Sequence, residues 1–456
     1  MSESLAGWAT VDITPDIGVP LGGRGPQFAG IDEVVDPLFA QALVLCDARG
    51  HRTLIVSLDV VGIGTAFSFA VRQNLAALTG IPYESVILNF SHTHSGPMTI
   101  MDKYPVIADT PANLAAYEAR LAERIASVSL AAVANVAPVR AMPFAGSTQI
   151  GMNRRQRQPD GGVSMQPDPD GFVVRELWGL DLQRVSSSGS GSRGNSEGAT
   201  GSRCILFSAA CHAVTVYSWK WAACSADFPG AARNELSRAL GPGVQAQFLQ
   251  GFGGNVRPAR LVDREAVKFR PAVDGDHLEI GKALARDVQT ALAADPPAVE
   301  LDIRGASGRF RAWRDAERLE PQAHWQRMSE SESELERNFG RYWLEAVKCG
   351  EPLARCVPWE IGVLRLTAGT RAAWLAGEVC GEWLPLIRSW LGDDEIRGLG
   401  YCQDLPGYLP TAALIAEGGY EAIASNWYRK TGPAPFDPRI ESEARDALQA
   451  LHREIQ

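Results

Sequence analysis

The stretch VILNFSHTHSGP at residues 86–97 joins a short apolar run to two histidines that are separated by one residue. A run such as VILNF, bounded by turn-forming residues, is typical of a buried β-strand. In an extended segment, residues i and i+2 face the same side, so His92 and His94 can point together toward one metal ion. Alternatively, one binds while the other makes a hydrogen bond, or the two are a chance pair of core or surface histidines.

Strand-like apolar runs alternate with helical patterns on both sides of this stretch. Strands are predicted at 53–58, 85–89, 172–182, 203–210 and 247–249, and helices at 66–78, 112–136, 229–240, 278–293 and 335–347. The alternation predicts an α/β fold of mixed α+β layers, with a central β-sheet flanked by helices. The aromatic residues at helical spacing in the last of these segments favour core packing over a ligand site.

The composition limits the class of protein. The 456 residues carry 44 Lys and Arg against 53 Asp and Glu, which gives a formal charge of −9. A chain of this length buries about three quarters of its unfolded surface, so it needs no disulfide or metal merely to fold. Length alone allows about three domains. The acidic balance argues against nucleic acid and anionic membrane surfaces, because both attract basic patches.

The N-terminal residues and the cysteines bear on the compartment. The start, MSESLAGW, has neither the basic nor the apolar region of a signal peptide, and no run approaches the roughly 18 apolar residues of a transmembrane helix. None of the eight cysteines forms a C-x-x-C pair, so we expect reduced, mostly buried thiols. These features predict a cytoplasmic protein without a transmembrane segment.

A low-complexity segment, SSSGSGSRGNSEGATGS, occupies residues 186–202. Its composition cannot offset the entropy of ordering, so we expect a flexible insertion. Because apolar strands flank it on both sides, we place it at the tip of a hairpin.

Two more polar residues follow apolar strands. His212 comes after ILFSAAC, and Glu378 comes after AAWLAG. Groups at the carboxyl ends of several strands converge on one crevice in open α/β sheets. Two or three imidazoles with a carboxylate suit zinc and leave a position for water or substrate. Taken alone, His212 also fits a satisfied core histidine.

Three further features have competing interpretations. Asp227, just before a predicted helix, is either a cap or first-turn acid or the partner of a ligand histidine. The turn GFGGN at 251–255 lacks a phosphate-loop pattern, which favours a close approach of its backbone to a site. Arg154 can hold a carboxylate or an oxyanion, although its own context favours a solvated basic turn.

Several segments together resemble the neutral, non-lysosomal ceramidase family. They are VDITP (11–15), PLGG (20–23), DPLFA (36–40), ALVL (42–45), SHTHSGP (91–97), CHAV (211–214), SADFPG (225–230), FLQGFGGNVRP (248–258), AGE (376–378), YLPT (408–411) and EGGYEA (417–422). SHTHSGP is the most specific piece, and the ordered set is stronger than any single motif.

The resemblance implies a zinc amidase, since active members of the family cleave the N-acyl bond of ceramide. It implies these zinc ligands: His92, His212, Glu378 and Tyr408. His94 would lie beside the metal, Arg154 would help bind the substrate, and Tyr420 would be a second active-site tyrosine. The tyrosine ligand is one that residue spacing alone does not reveal.

The sequence also departs from the family. Where active ceramidases have GDVSP with a catalytic serine, this chain has GNVRP at 254–258. Asn255 and Arg257 therefore stand at the Asp and Ser positions, and we expect them to support the site or contact substrate. A C-terminal immunoglobulin-like domain and a signal peptide, both usual in the family, are not expected here.

These observations predict a single ceramidase-like catalytic domain over residues 1–456. It would be a zinc-dependent hydrolase that cleaves an amide or ester bond of a small-molecule or lipid-like substrate with metal-activated water. His94 would be the general acid or base, and Arg154 or Tyr420 would share the oxyanion with zinc. The alternatives are a metal-binding protein without hydrolase activity, and a hydrolase of phosphoesters or carbohydrate N-acyl groups.

Overall fold

The computed structural model describes residues 4–23, 30–107, 109–185 and 202–456. The strands are β1 (Leu5–Asp12), β2 (Glu33–Val34), β3 (Phe39–Cys46), β4 (Arg52–Leu58), β5 (Val86–Phe90), β6 (Ala137–Ser147), β7 (Gly151–Arg157), β8 (Val163–Asp168), β9 (Glu176–Arg184), β10 (Arg203–Ala209), β11 (Ala223–Cys224), β12 (Val244–Gln250), β13 (Val256–Pro258), β14 (Val262–Asp263), β15 (Lys268–Phe269), β16 (Leu301–Trp313), β17 (Cys356–Thr367), β18 (Thr370–Ala376), β19 (Glu378–Val379), β20 (Arg397–Cys402) and β21 (Tyr408–Leu409). The helices are α1 (Thr65–Thr79), α2 (Ala112–Ala134), α3 (Val216–Trp219), α4 (Asp227–Leu240), α5 (Asp276–Leu292), α6 (Gln322–Ser329), α7 (Glu334–Cys349), α8 (Trp383–Leu391), α9 (Ala412–Glu417) and α10 (Ile440–Ile455).

Twelve of the described strands form one mixed sheet. Their order is β12-β10-β9-β6-β1-β3-β4-β5-β20-β18-β17-β16. Three neighbouring pairs are parallel, namely β4 with β5, β10 with β12, and β18 with β20. The prediction of an α/β fold with a central sheet flanked by helices is confirmed.

Strands that are not hydrogen-bonded neighbours, such as β12 and β20 or β16 and β4, lie against each other. These contacts show that the sheet curls. One core cluster therefore draws residues from distant parts of the sheet, including Trp8, Ile55, Trp178 and Trp374. Helices cover the remaining faces: α1 and α2 pack on β3 to β5, α4 and α5 on β10 and β12, and α8 and α10 on β16 to β18.

Most predicted elements are present, with shifted ends. The predicted strand at 172–182 begins only at Glu176, because Val173 and Val174 fill two different core clusters instead of joining a ladder. Of the low-complexity insertion, 186–201 lie outside the described residues. The strands that flank it, β9 and β10, are antiparallel neighbours, as expected for a hairpin.

Helix α7 buries the predicted aromatic stripe, with Phe339 and Trp343 in the core. The eight cysteines are all free, and most of them are buried. Among the described residues, none of the helices has both the length and the apolar character needed to cross a bilayer.

Candidate metal centre

The carboxyl ends of several central strands meet at one point in the molecule. His92 follows β5, His212 follows β10, and Glu378 begins β19 just past the end of β18. Tyr408 begins β21, which pairs in parallel with β19 so that Glu378 lies opposite Tyr408. The crevice predicted from the strand ends is therefore where these four side chains lie.

His92 is held by backbone carbonyls in an unusual conformation. Its φ of 60° is in the left-handed region, which costs about 1–2 kcal/mol for a residue with a Cβ. The backbone N–H of His92 donates to Val60 O at 3.1 Å, and its ring Nδ1 lies 2.6 Å from Val61 O. Since Nδ1 carries the donated proton, the Nε2 lone pair remains free to bind a metal.

His212 is oriented in the same way by the glycine-rich turn. Its Nδ1 lies 2.7 Å from Gly253 O. The adjacent Gly254 lies so close to the next strand that a Cβ there would be 2.5 Å from Glu378 O. The interpretation of GFGGN as a close backbone approach to the site is confirmed, because only glycine leaves room for this contact.

The donor atoms of the four side chains face one another. His212 Nε2 lies 3.1 Å from Glu378 Oε2 and 3.3 Å from the Tyr408 hydroxyl. His92 Nε2 lies 3.3 Å from the same Glu378 oxygen. All four residues are buried, at most 6% exposed. Two imidazole lone pairs, a carboxylate and a phenol within such distances fit a bound divalent cation.

His94 lies next to this group. Its Nε2 is 3.1 Å from His92 Nε2, and its ring centroid is 5.5 Å from that of Tyr217. The ligand atoms of His92, His94 and His212 lie within 4.8 Å of one another. These three histidines form a cluster that can hold a metal ion, and His94 is the most exposed of them.

The electrostatics keep His212 and Glu378 in their ligating forms, whereas burial raises the pKa of the Tyr408 phenol well above its usual value. Burial and the nearby charge of Arg154 lower the pKa of His212 to about 4, so the imidazole is neutral at physiological pH. Burial alone would raise the pKa of Glu378, but its close contacts with His92 and His212 hold it well below its usual range. A neutral imidazole and an ionised carboxylate are the forms that bind metals.

Arg154 is not in a solvated turn. It is 4% exposed, and its Nε donates to Glu421 at 2.8 Å while its Nη2 donates to the Tyr408 hydroxyl at 3.0 Å. Arg155 donates to the second oxygen of Glu421 at 2.7 Å. Burial works against both charges, but the carboxylate and the phenol raise the pKa of Arg154 well above its usual value. Arg154 thus places a positive charge directly on the Tyr408 oxygen.

Asp227 contacts backbone rather than a histidine ring. Its carboxylate accepts from Thr215 N at 2.7 Å, Val216 N at 2.8 Å and Phe228 N at 2.6 Å. Asp227 is the first residue of helix α4, and its carboxylate fixes the loop that follows His212. The two ring Nδ1 atoms that need orienting use carbonyls instead, so a direct partnership between Asp227 and a ligand histidine is not the arrangement found.

Asn255 is the last residue of the glycine-rich turn, and Arg257 lies just after it in β13. Asn255 Nδ2 is 2.9 Å from both carboxylate oxygens of Glu382, and Asn255 Oδ1 accepts from Gly381 N at 3.0 Å. Arg257 stacks on Phe269, with its Cζ 4.7 Å from the ring centroid, and burial lowers the pKa of its guanidinium. Asn255 therefore supports the segment that follows Glu378 in the chain.

A cavity of about 260 Å³ opens beside the donor cluster. It is lined by Gly23, Val61, His92, His94, Ile100, Tyr104, Leu335, Glu378, Leu405, Tyr408, Tyr420, Ser425, Tyr428 and Arg429. Burial raises the pKa of Tyr420, so its phenol stays protonated and can donate. A larger cavity, of about 610 Å³, lies near Asp47 and Arg397, and its lining contains no histidine among the described residues.

Sequence reasoning missed three residues that complete the site. Glu421 binds both Arg154 and Arg155, and Arg429 contacts Glu378. The Tyr401 ring is tilted against the His92 ring, with the two centroids 4.5 Å apart. Glu421 was predictable from the sequence, because it lies inside the EGGYEA motif and two adjacent arginines need a carboxylate. Tyr401 and Arg429 are in no motif, so only the fold shows that they lie at the site.

The sequence and the structure were compared with known proteins. No family model matches the sequence, and none of the curated proteins does. Two solved structures match the fold: the neutral ceramidase from Pseudomonas aeruginosa and a ceramidase complexed with C2. Each gives a TM-score of 0.70 at 16% identity, over 99% of this chain and 75% of the other. The chain therefore has a neutral ceramidase-like fold, as the motifs predicted.

Proposed function

We propose that this protein is a zinc-dependent hydrolase that cleaves an amide, or an ester, of a small-molecule or lipid-like substrate. One observation carries the proposal: two imidazole Nε2 atoms, the Glu378 carboxylate and the Tyr408 hydroxyl converge within 3.1–3.3 Å of a neighbour. With zinc–ligand bonds of about 2.0–2.1 Å, the corners of a tetrahedral site are about 3.3 Å apart. The fold of amide-cleaving neighbours supports the same chemistry.

His92, His212, Glu378 and Tyr408 would hold the metal. A bound zinc ion would lower the pKa of water and polarise a carbonyl group. Arg154 favours ligation by Tyr408, because its Nη2 donates to the phenol oxygen and stabilises negative charge there. With its remaining contact on Glu421, Arg154 is better placed to hold Tyr408 than to touch the substrate.

His94 and Tyr420 would act on the substrate. In hydrolysis, water adds to the carbonyl carbon, the C–N bond breaks, and the amine leaves with a proton. His94, beside His92 and partly exposed, would take the proton from water and pass it to the amine nitrogen. Tyr420, which lines the cavity as a protonated phenol, would donate to the oxyanion.

The second candidate is a metal-binding protein without turnover. It is favoured by Asn255 and Arg257, which stand where the family resemblance implies the Asp and catalytic Ser of active ceramidases. This candidate predicts stoichiometric metal and no hydrolysis of amides, esters or phosphoesters. We also propose a cytoplasmic location, which the eight free thiols support.

The test is metal content together with hydrolysis. The wild-type chain, His92→Ala and His212→Ala are purified, and zinc is measured by elemental analysis. His51→Ala is the matched control, because the His51 side chain is half exposed and pairs with Asp47 rather than with this cluster. We expect about one zinc per chain in the wild type and the control, and loss of zinc and of hydrolysis of an N-acyl amide panel in the two variants. Wild-type protein that binds no zinc would overturn the proposal.

A further inference from the structure

Arg429 is a buried cation in the wall of the cavity beside the donor cluster. It is 8% exposed and follows the short 3-10 helix at Ala424–Tyr428. Its Nη2 donates to Glu378 Oε1 at 3.3 Å, which is long for an ion pair. The side chain is thus within reach of the group that would bind the metal.

The guanidinium of Arg429 is incompletely satisfied. Its Nε and Nη1 atoms are both buried and have no hydrogen-bond partner among the described residues. Buried arginine N–H groups are normally paired, because leaving a donor unsatisfied away from water is costly. By contrast, the neighbouring buried guanidinium of Arg154 has Glu421 as a close carboxylate partner. The guanidinium of Arg429 thus has hydrogen-bonding capacity that the described residues do not use.

The described residues of the lining are also balanced in charge. Among them, Glu378 is the one acidic group and Arg429 the one arginine or lysine, so their charges cancel before a metal binds. A divalent ion adds two positive charges, and ligation by an ionised Tyr408 removes at most one. Glu378 is then committed to the metal, and Arg429 is left without a full counter-charge.

The volume sets the size of the missing ligand. About 260 Å³ corresponds to roughly nine water molecules and is below the 300–1,000 Å³ of sites for drug-sized ligands. Long acyl chains would have to extend beyond this space. Tyr104, Tyr428, Leu335 and Ile100 supply apolar walls for a short hydrocarbon group.

We infer that Arg429 binds a carboxylate of the substrate, so that the substrate class is a small N-acyl amino acid. This inference rests on the proposed function and names its substrate. In such a molecule only the α-carbon and the nitrogen separate the carboxylate from the acyl carbon. This spacing matches the site, where Glu378 is shared between Arg429 on one oxygen and His92 and His212 on the other.

The probes are N-acetylleucine and N-acetylleucinamide, which have the same number of heavy atoms and differ in one charge. Binding to the purified chain is measured by calorimetry, and released leucine or leucinamide is followed in the same samples. We expect the acid to bind at least about tenfold more tightly than the amide, as a charge-assisted pair provides. Equal affinity in the wild type would overturn the inference.

Variants separate Arg429 from the metal as the carboxylate receptor. In Arg429→Gln the preference for the acid should fall below about twofold, while Arg429→Lys should keep part of it. A preference that persists in Arg429→Gln would place the carboxylate on the metal and overturn the inference. If neither variant folds, a crystal structure of the wild type with N-acetylleucine decides, since the carboxylate must lie on Arg429.

Metal content, measured in the same samples, separates this inference from the proposed function. Wild-type protein that prefers the acid without bound metal would retain the inference and reject the zinc hydrolase. Wild-type protein that binds zinc and shows no preference for the acid would retain the zinc hydrolase and reject the inference.

Discussion

The donor cluster and the segment at the end of the glycine-rich turn differ in what their side chains contact. On one side, His92, His212, Glu378 and Tyr408 match the family motifs and converge within hydrogen-bonding distances. On the other side, Asn255 pairs with Glu382, and Arg257 stacks on Phe269. The groups suited to a metal thus face one another, whereas Asn255 and Arg257 contact other side chains. The proposed function therefore rests on the donor cluster and not on Asn255 or Arg257.

The largest expected effect is on the donor side. His92→Ala should remove one of the proposed ligands and leave Glu378 and His212 without a full coordination set. We expect metal affinity to fall by more than the roughly 10–100-fold seen when only supporting groups are lost. Competition with a chelator measures this affinity. Unchanged affinity would assign the metal to a different group of residues.

Arg154→Met should give the next largest effect. The substitution leaves the buried Glu421 with Arg155 alone and removes the donor to Tyr408, so we expect a loss of about 4 kcal/mol of unfolding free energy. Chemical denaturation measures it. Arg157→Met is the matched control: its guanidinium is largely exposed and bonds Glu417, so its removal should cost under about 1 kcal/mol. Equal losses in the two variants would show that burial of Arg154 is not what matters.

Asn255→Asp tests the divergent side. It introduces the residue that the family resemblance implies at this position, and it places a carboxylate against both oxygens of Glu382, in place of an amide donor at 2.9 Å. We expect a loss of about 3 kcal/mol, largely recovered in Asn255→Asp with Glu382→Gln. Thermal unfolding of the single and double variants measures the coupling. Additive effects would show that the Asn255 and Glu382 side chains do not interact.

The smallest effect concerns acid stability of the segment that follows Arg257. Burial opposes ionisation of Asp276, but hydrogen bonds from Arg270, Val273 N and Arg260 lower its pKa from 3.8 to about 2. Because the folded-state pKa is depressed, this stabilisation is present above about pH 4 and is lost as the pH falls toward 2. Asp276→Asn should cost about 2 kcal/mol at pH 7 and little at pH 2. A cost independent of pH would contradict this origin.

The sequence was informative where a residue's role depends on its neighbours in the chain. The strand ends placed His92, His212 and Glu378, since a polar residue after a buried strand signals the edge of a sheet. Tyr408 came only from the family resemblance, because no local pattern distinguishes a ligand tyrosine. Neither the strand ends nor the family resemblance identified Arg429, because its contact with Glu378 joins residues 51 positions apart and depends on how the chain turns between them.

Arg154 also shows that contacts between residues distant in the chain are not predicted from the local sequence. A pair of arginines in a strand looks solvated unless its counter-charge is known, and Glu421 is 267 positions away from Arg154. Burial of a guanidinium is settled by such distant partners, which composition and periodicity do not reveal.

The central claim is that two imidazoles, a carboxylate and a phenol hold one metal ion. A crystal structure of the zinc-loaded chain, with anomalous scattering at the zinc edge, tests it most directly. The account predicts one zinc ion within about 2.0–2.2 Å of His92 Nε2, His212 Nε2, Glu378 Oε2 and the Tyr408 oxygen. A zinc ion held by His94 in place of Glu378 and Tyr408, or no ion at this position, would contradict it.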